Sequence, residues 1–442
     1  MLKTFTTGGV HPNENKITAS SAIERVAAPA TVSIPVSQHI GAPSEILVKR
    51  GDQVMAGELI AKSGGFVSAN IHSSVSGMVT KIEDIPSVSG YTQKAVTIKR
   101  EGDIWDESID TSDILIKEIS LSPSEIIKRV GEAGIVGLGG ATFPSHVKLS
   151  PPPGKVCEIL LINGVECEPF LTGDHRIMVE KGEEVLTGIT ILMKALGVTK
   201  AVIGIENNKP DAIKRMIELS KNYAGIEVQP LKVKYPQGGE KQLIKAITQR
   251  EVPSGKLPVE VGAVVHNVGT AYAVYEAVQK KKPLIERVVT VTGPTIKKPG
   301  NYLVRIGTSV EDLIEVAGGL PDDVVKVVSG GPMMGKALPK LNTPVAKGMS
   351  GLLLLPQEIT SRKESQNCIK CAKCVSACPM GLSPYLLMTV SQKELFERAI
   401  EEDIMDCIEC GSCSFTCPSS RPLLDYIRFG KAEAGNILRS KK

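Results

Sequence analysis

The run Cys-x2-Cys-x2-Cys-x3-Cys-Pro occurs twice in this chain. CIKCAKCVSACP places Cys368, Cys371, Cys374 and Cys378 before Pro379, and CIECGSCSFTCP places Cys407, Cys410, Cys413 and Cys417 before Pro418. Eight of the ten cysteines are used in this way. Three thiolates at this spacing wrap one face of a cubane [4Fe-4S] cluster, and in a duplicated run the fourth reaches across to the other cluster. The expected ligand sets are therefore Cys368, Cys371 and Cys374 with Cys417, and Cys407, Cys410 and Cys413 with Cys378. Zinc sites and disulfides are the alternatives, but zinc has no use for a repeated run closed by proline. Two one-electron centres imply electron transfer without saying from what.

At 442 residues the chain exceeds one ordinary core, so two to four domains are expected. A formal charge of +4 with no Lys/Arg-rich block argues against a nucleic-acid partner. The opening MLKTFTTGGVHPNENK has no apolar core of a signal peptide. The longest apolar stretch, VLTGITILMKALGV (185–198), is interrupted by Lys194 and repeats at helical spacing, so it reads as a buried helix rather than a span. These features predict a soluble chain, or one peripheral to a membrane through a partner. Clustered reduced cysteines with nothing secretory before them point to the cytoplasm.

Four regions separate by pattern. Residues 1–118 hold an N-terminal arm and short alternating strands, 119–285 alternate helix and strand as an α/β domain with a largely parallel sheet, and 286–355 are β-rich. In the third region one helix is opened by Ser309 and closed at Gly318. A polar linker, PQEITSRKESQN (356–367), leads to the cysteine region, 356–442, with helices around 384–403 and 421–435. The ending RSKK reads as a frayed tail.

Four loop pieces share the α/β region. EAGIVGLGGATFPSHVKL (132–149) is Gly-rich but follows a helix, so it is not the dinucleotide fingerprint. LLINGVECEPFLTGDHR (160–176) ends a strand with Asn163 and places Glu166 and Glu168 around Cys167, just where open α/β sheets bind ligands. YPQGGEKQ (235–242) presents Gly-Gly-Glu before a helix, and HNVGTAYAV (266–274) puts Asn267 and Thr270 at a helix start, which favours phosphate.

These pieces, in this order, resemble the FMN- and NADH-binding core of the flavoprotein of respiratory complex I. From GGVHP to the cysteine runs, the chain resembles the RnfC family of ferredoxin–NAD oxidoreductase complexes. The resemblance implies a multidomain α/β fold: an N-terminal β barrel-sandwich hybrid, a Rossmann-like FMN/NADH domain, a β-grasp-like SLBB domain and an α-helical ferredoxin domain with two clusters. It also implies FMN and NAD(H), with Gly137, Gly139, Gly140, Phe143 and Lys148 near FMN. Asn163, Glu166 and Glu168 would hold the isoalloxazine and nicotinamide rings. Tyr235, Gly238 and Glu240 form a further loop, and Asn267 and Thr270 the phosphate side. Leu138, Gly239 and Gly269 depart from the complex I pattern, at a basic and two acidic positions.

The implied partners are the membrane and iron–sulfur subunits of an Rnf-type complex and, indirectly, ferredoxin. The implied place is peripheral, on the cytoplasmic face of the bacterial inner membrane, with membrane contact only through partners. A cobalamin reductase of the same flavin/iron–sulfur type is the nearest alternative, and a non-catalytic relay with an empty flavin site is another.

Plainer readings stand beside these. Glu166 and Glu168 taken alone are solvated loop charges, and Cys157 and Cys167 are small packed residues. His11, His39, His72, His146, His175 and His266 lack metal-ligand spacing. VKRGDQVMAGELI followed by SSVSGMV is similar to a biotinyl- or lipoyl-carrier sandwich, but no lysine lies between Lys62 and Lys81 to be modified. That excludes the carrier role and leaves packing or docking.

Overall fold

The computed structural model describes residues 2–360 and 363–441. Its centre is a parallel sheet of four strands in the order 226–231, 201–206, 159–163, 263–267. Three of the strands are short, nearly continuous apolar runs, as expected where helices cover both faces, while the edge strand 226–231, IEVQPL, is half polar. The first helix, Pro123–Glu132, opens with a complete capping box between Ser122 and Glu125 and buries Ile126 and Val130. Such a cap contributes about 1 kcal/mol. The apolar stretch around 185–198 forms the helix Gly182–Leu196, which buries Val185, Leu186, Ile189, Leu192 and Met193. At roughly 1.5–3 kcal/mol per buried aliphatic side chain, that face alone anchors it. No helix among the described residues is long and apolar enough to cross a membrane.

The N-terminal β unit packs two small sheets, 31–35/92–100/77–86/53–54 and 45–46/59–62/71–72, around Val32, Ile34, Ile60, Ile71, Val79 and Ile98. Its tip docks on the α/β domain. Asn70 Nδ2 donates to the Glu132 carbonyl, and the Phe66 ring meets His146 edge-on at 5.9 Å. Of the packing or docking expected for this unit, these contacts show packing within the chain.

The third region is a mixed sheet in the order 23–25, 300–305, 286–292, 351–356, 324–329, 336–337, covered by the helix Val310–Val316 with Ser309 as its N-cap. The edge strand 23–25 comes from the N-terminal arm. Earlier residues of the same arm bridge to the α/β domain, Lys3 beside Leu231 and Val10 beside Tyr235. The arm therefore crosses several units rather than staying with the barrel.

In the cysteine region the helices Pro384–Gln392, Phe396–Glu401 and Leu423–Ser440 pack through Leu387, Met388, Ala399, Leu423 and Ile427. Two expectations change here. The ending is not frayed through RSKK: the last helix runs to Ser440, its final turn tied by Arg439 donating to Asn436 Oδ1 at 2.7 Å, while Lys442 lies outside the described residues. The polar linker begins with a helical turn, Gln357–Thr360, where the Thr360 hydroxyl bonds back to the Pro356 carbonyl; Ser361 and Arg362 lie outside the described residues.

Candidate functional site

The central strand 159–163 and its neighbour at the sheet edge, 263–267, end side by side, with Asn163 in register with Asn267. This is the switch point of the sheet, where connections leave in opposite directions and open a crevice. Asn163 Nδ2 donates to the Gly238 carbonyl at 2.8 Å, and its Oδ1 accepts from Val165 N. Asn267 caps the helix Val268–Gln279, accepting from Gly269 N and Thr270 N. Its Nδ2 donates to Asp174 Oδ2 at 2.6 Å. The glycine loop closes on itself through Gly137 N donating to the Phe143 carbonyl, and is fastened by Leu138 N donating to the buried Thr270 hydroxyl at 2.9 Å. Lys148 pairs with Glu240 at 2.7 Å and donates to the Val265 carbonyl at 3.1 Å. The structure thus brings Gly137, Phe143, Lys148, Asn163, Gly238, Glu240, Asn267 and Thr270 into one constellation, although they are scattered over more than a hundred residues.

The two glutamates are not solvated loop charges. Glu166, at φ +44°, accepts from Asp174 N and His175 N at the start of the helix Gly173–Glu180. Glu168 accepts from Met333 N and Met334 N at 3.1 and 2.7 Å, joining the α/β domain to the third region. Burial pushes Glu168 up to about 7 despite those donors. Tyr235 is buried, and its hydroxyl donates to the Cys410 carbonyl at 2.8 Å. It stands at the joint with the cysteine region, and burial raises its pKa.

That joint is tight. Gln242 Nε2 donates to the Pro379 carbonyl, and Gly9 N donates to the Ala377 carbonyl. Gly8 has φ +66°, and a Cβ there would sit 2.3 Å from the Cys378 carbonyl oxygen, so only glycine fits. Beyond it, Cys378, Cys407, Cys410 and Cys413 line one cavity with Leu387, Leu424 and Ile427. Burial pushes the Cys407 and Cys413 thiols up to about 11 and about 12, with the Cys378 sulfur adding to both. Cys374 is raised by burial, with Cys417 contributing. The fourth cysteine of the first run, Cys378, therefore sits with the second run. Cys368 and Cys371 are exposed.

Several residues at the site carried no signal in the sequence. Lys16 donates to the carbonyls of Glu166, Glu168 and Leu171. Buried Lys209 donates to the Val165 carbonyl at 2.8 Å. Buried Arg287 donates to the Leu138 carbonyl behind the glycine loop at 2.7 Å. Asp174, inside the quoted TGDHR, is pushed up to about 7 by burial and by Glu166. No local pattern marks these four, because their partners come from other loops of the folded chain. Cys167 is a packed residue, its sulfur accepting from Gly238 N.

The residues present fit a flavin mononucleotide and, around Cys378, Cys407, Cys410 and Cys413, a cluster. Gly139 and Gly140 are exposed, and a Cβ on Gly140 would meet open space. Among the described residues, the amide N–H groups of Glu166, Cys167 and Glu168 donate to no protein acceptor. They are spare donors at the strand ends. Four thiols around an apolar-walled cavity suit a cubane.

Comparison with known proteins agrees. The RnfC barrel sandwich hybrid domain matches residues 4–103, the Nuo51 FMN-binding domain 130–276, the SLBB domain 288–337 and a 4Fe-4S dicluster domain 360–418. The chain is 51% identical over 439 residues to the C subunit of the proton-translocating ferredoxin:NAD(+) oxidoreductase complex of Clostridium ljungdahlii, covering 98% of this chain and 94% of that one. It is 45% identical over 431 residues to the Na(+)-translocating counterpart of Acetobacterium woodii, covering 96% of each. An NAD+-reducing [NiFe]-hydrogenase in the air-oxidized state shares the fold over 71% of this chain and 66% of its own, with a TM-score of 0.51 and 18% identity. The chain belongs to the RnfC family, the C subunits of ion-translocating ferredoxin:NAD(+) oxidoreductase complexes.

Proposed function

We propose that this chain is the NAD(H)-exchanging electron-transfer subunit of an Rnf-type complex, passing electrons between NAD(H), FMN and two [4Fe-4S] clusters. The observation that carries it is the joint itself: Tyr235 belongs to a loop of the nucleotide crevice and its hydroxyl binds the carbonyl of a cluster cysteine, Cys410. FMN, when bound, exchanges a hydride with nicotinamide and single electrons with iron–sulfur centres.

The chain's own residues position and insulate. Gly139 and Gly140 let the backbone approach the cofactor closely, and Thr270 and Arg287 hold that loop in place. Asn163 orients the 238 loop, Asn267 the phosphate side, and Lys148 with Glu240 the edge of the crevice. Glu166 and Glu168 spend their carboxylates on fixing the loop, so the loop meets the rings through its backbone. Tyr235, Gln242 and the 8–10 segment seat the buried cysteine set against the crevice. The exposed Cys368 and Cys371 face the surface where another subunit accepts or supplies electrons. The membrane and iron–sulfur subunits of the complex are the partners, and the chain is peripheral at the cytoplasmic face.

The test uses protein purified without oxygen and loaded with iron, sulfide and FMN. NADH is expected to bleach the flavin band and then lower the iron–sulfur absorbance, with NADPH as a control. Clusters that assemble while FMN neither binds nor bleaches would reduce the chain to a relay.

A further inference from the structure

The loop 165–171 lies on two lysine ammonium groups. Lys16, from the N-terminal arm, donates to the carbonyls of Glu166, Glu168 and Leu171 at 2.8, 2.8 and 2.6 Å. Lys209, only 2% exposed, donates to the Val165 carbonyl at 2.8 Å and to Asn208 Oδ1, with Glu206 at 3.7 Å. Carbonyl oxygens only accept. An uncharged amine has two hydrogens to give, whereas Lys16 serves three carbonyls, so it is held as the ammonium. Burial works against that charge, and Glu166 favours it.

The consequence falls on the other face of the peptide groups. With the carbonyls of 165 and 166 drawn onto the lysines, the N–H groups of the same two peptides, Glu166 and Cys167, point the other way and are left without a partner among the described residues; the 168 carbonyl, also held, precedes Pro169, which has no N–H. On this half-buried loop such donors are open to a ligand. Left-handed backbone at Glu166 and Phe170, with φ +44° and +69°, is what such a turn of the chain requires.

We infer that Lys16, assisted by Lys209, is a positioning residue for the flavin: it holds the 165–171 loop with its amide donors toward the ring and raises the flavin's reduction potential by its charge. This rests on the reading of the crevice as the flavin site. A fixed cation and oriented donors favour the ring once it has gained electrons, and more so in a poorly solvated site. The device spans the fold, since a residue of the arm tunes a loop some 150 positions away.

The experiment is an anaerobic redox titration of the full chain loaded with clusters and FMN, with binding of oxidised and reduced FMN measured alongside. Lys16→Met is expected to weaken reduced FMN at least tenfold relative to oxidised FMN, which lowers the two-electron midpoint by ~30 mV or more. Lys16→Arg, which keeps the charge, is expected to retain most of the wild-type midpoint. Should Lys16→Met fail to fold, Lys16→Arg and Lys209→Met are titrated instead, the latter expected to shift in the same downward direction. An unchanged midpoint, or equal weakening of both FMN forms, overturns the inference in favour of a purely structural lysine. Gly139→Val separates the two layers: FMN binding indifferent to it would overturn the placement of the site and the inference with it, whereas FMN binding lost in Gly139→Val beside an unchanged Lys16→Met midpoint overturns the inference alone.

Discussion

Asn267 shows how much one side chain carries here. Its oxygen caps the helix Val268–Gln279 while its nitrogen holds Asp174. Asn267→Ala is expected to cost about 1 kcal/mol for the lost cap, and to weaken FMN uptake as well, measured by thermal unfolding and flavin titration. Glu168 carries a pH signature. Its folded pKa of about 7 lies above the ordinary carboxylate value because of burial. Between those two values the folded chain retains a proton that the unfolded chain has released, so stability falls as pH rises through that window. Asp174 and Glu206, also pushed to about 7, add to the same slope. Glu168→Gln is expected to make the fall of Tm between pH 5 and 7 shallower, and an unchanged slope would show that Glu168 does not hold the proton.

Among the elements, the cysteine runs make the sharpest prediction because the last cysteine of the first run sits with the second. Cys378 lies in the first run but lines the cavity of the second. Cys378→Ala is therefore expected to lose the cluster of Cys407, Cys410 and Cys413 and to keep the other, leaving about half of the iron and sulfide. Chemical analysis with electron paramagnetic resonance of each site would decide it; loss of the Cys368 set instead would mean the runs do not cross. The strands and helices of the α/β region lie open in the sequence, since apolar period and caps such as Ser122 and Ser309 act within a few residues. The last helix runs longer than its pattern suggests, because its end is tied by side-chain contacts that composition does not reveal.

Across the four units, the N-terminal arm is the part that integrates. It supplies an edge strand to the third region, a bridge to Tyr235, and Gly9 N to the Ala377 carbonyl beside the buried cysteines. Deleting residues 2–12 spares Lys16 but removes the contacts around Tyr235 and Cys378. NADH is expected still to bleach the flavin, while rapid-mixing measurements show electron arrival at the clusters slowed ~tenfold or more, because a small misplacement is costly in rate. Equal rates would mean that the cysteine region is seated without the arm.

Short spacing was enough to encode two duplicated cysteine runs, a parallel α/β sheet with strands that end at Asn163 and Asn267, and a carrier-like barrel stripped of its lysine. Those features depend on residues a few positions apart, so the chain displays them before it folds. Folding in three dimensions was needed for the rest: Glu166 and Glu168 brace a loop and do not stand free, Tyr235 reaches the cluster side, and Lys16 and Lys209 hold the carbonyls of the 165–171 loop. Each of these is a hydrogen bond between distant segments, and its existence follows from how four units close on one another, which no local pattern records.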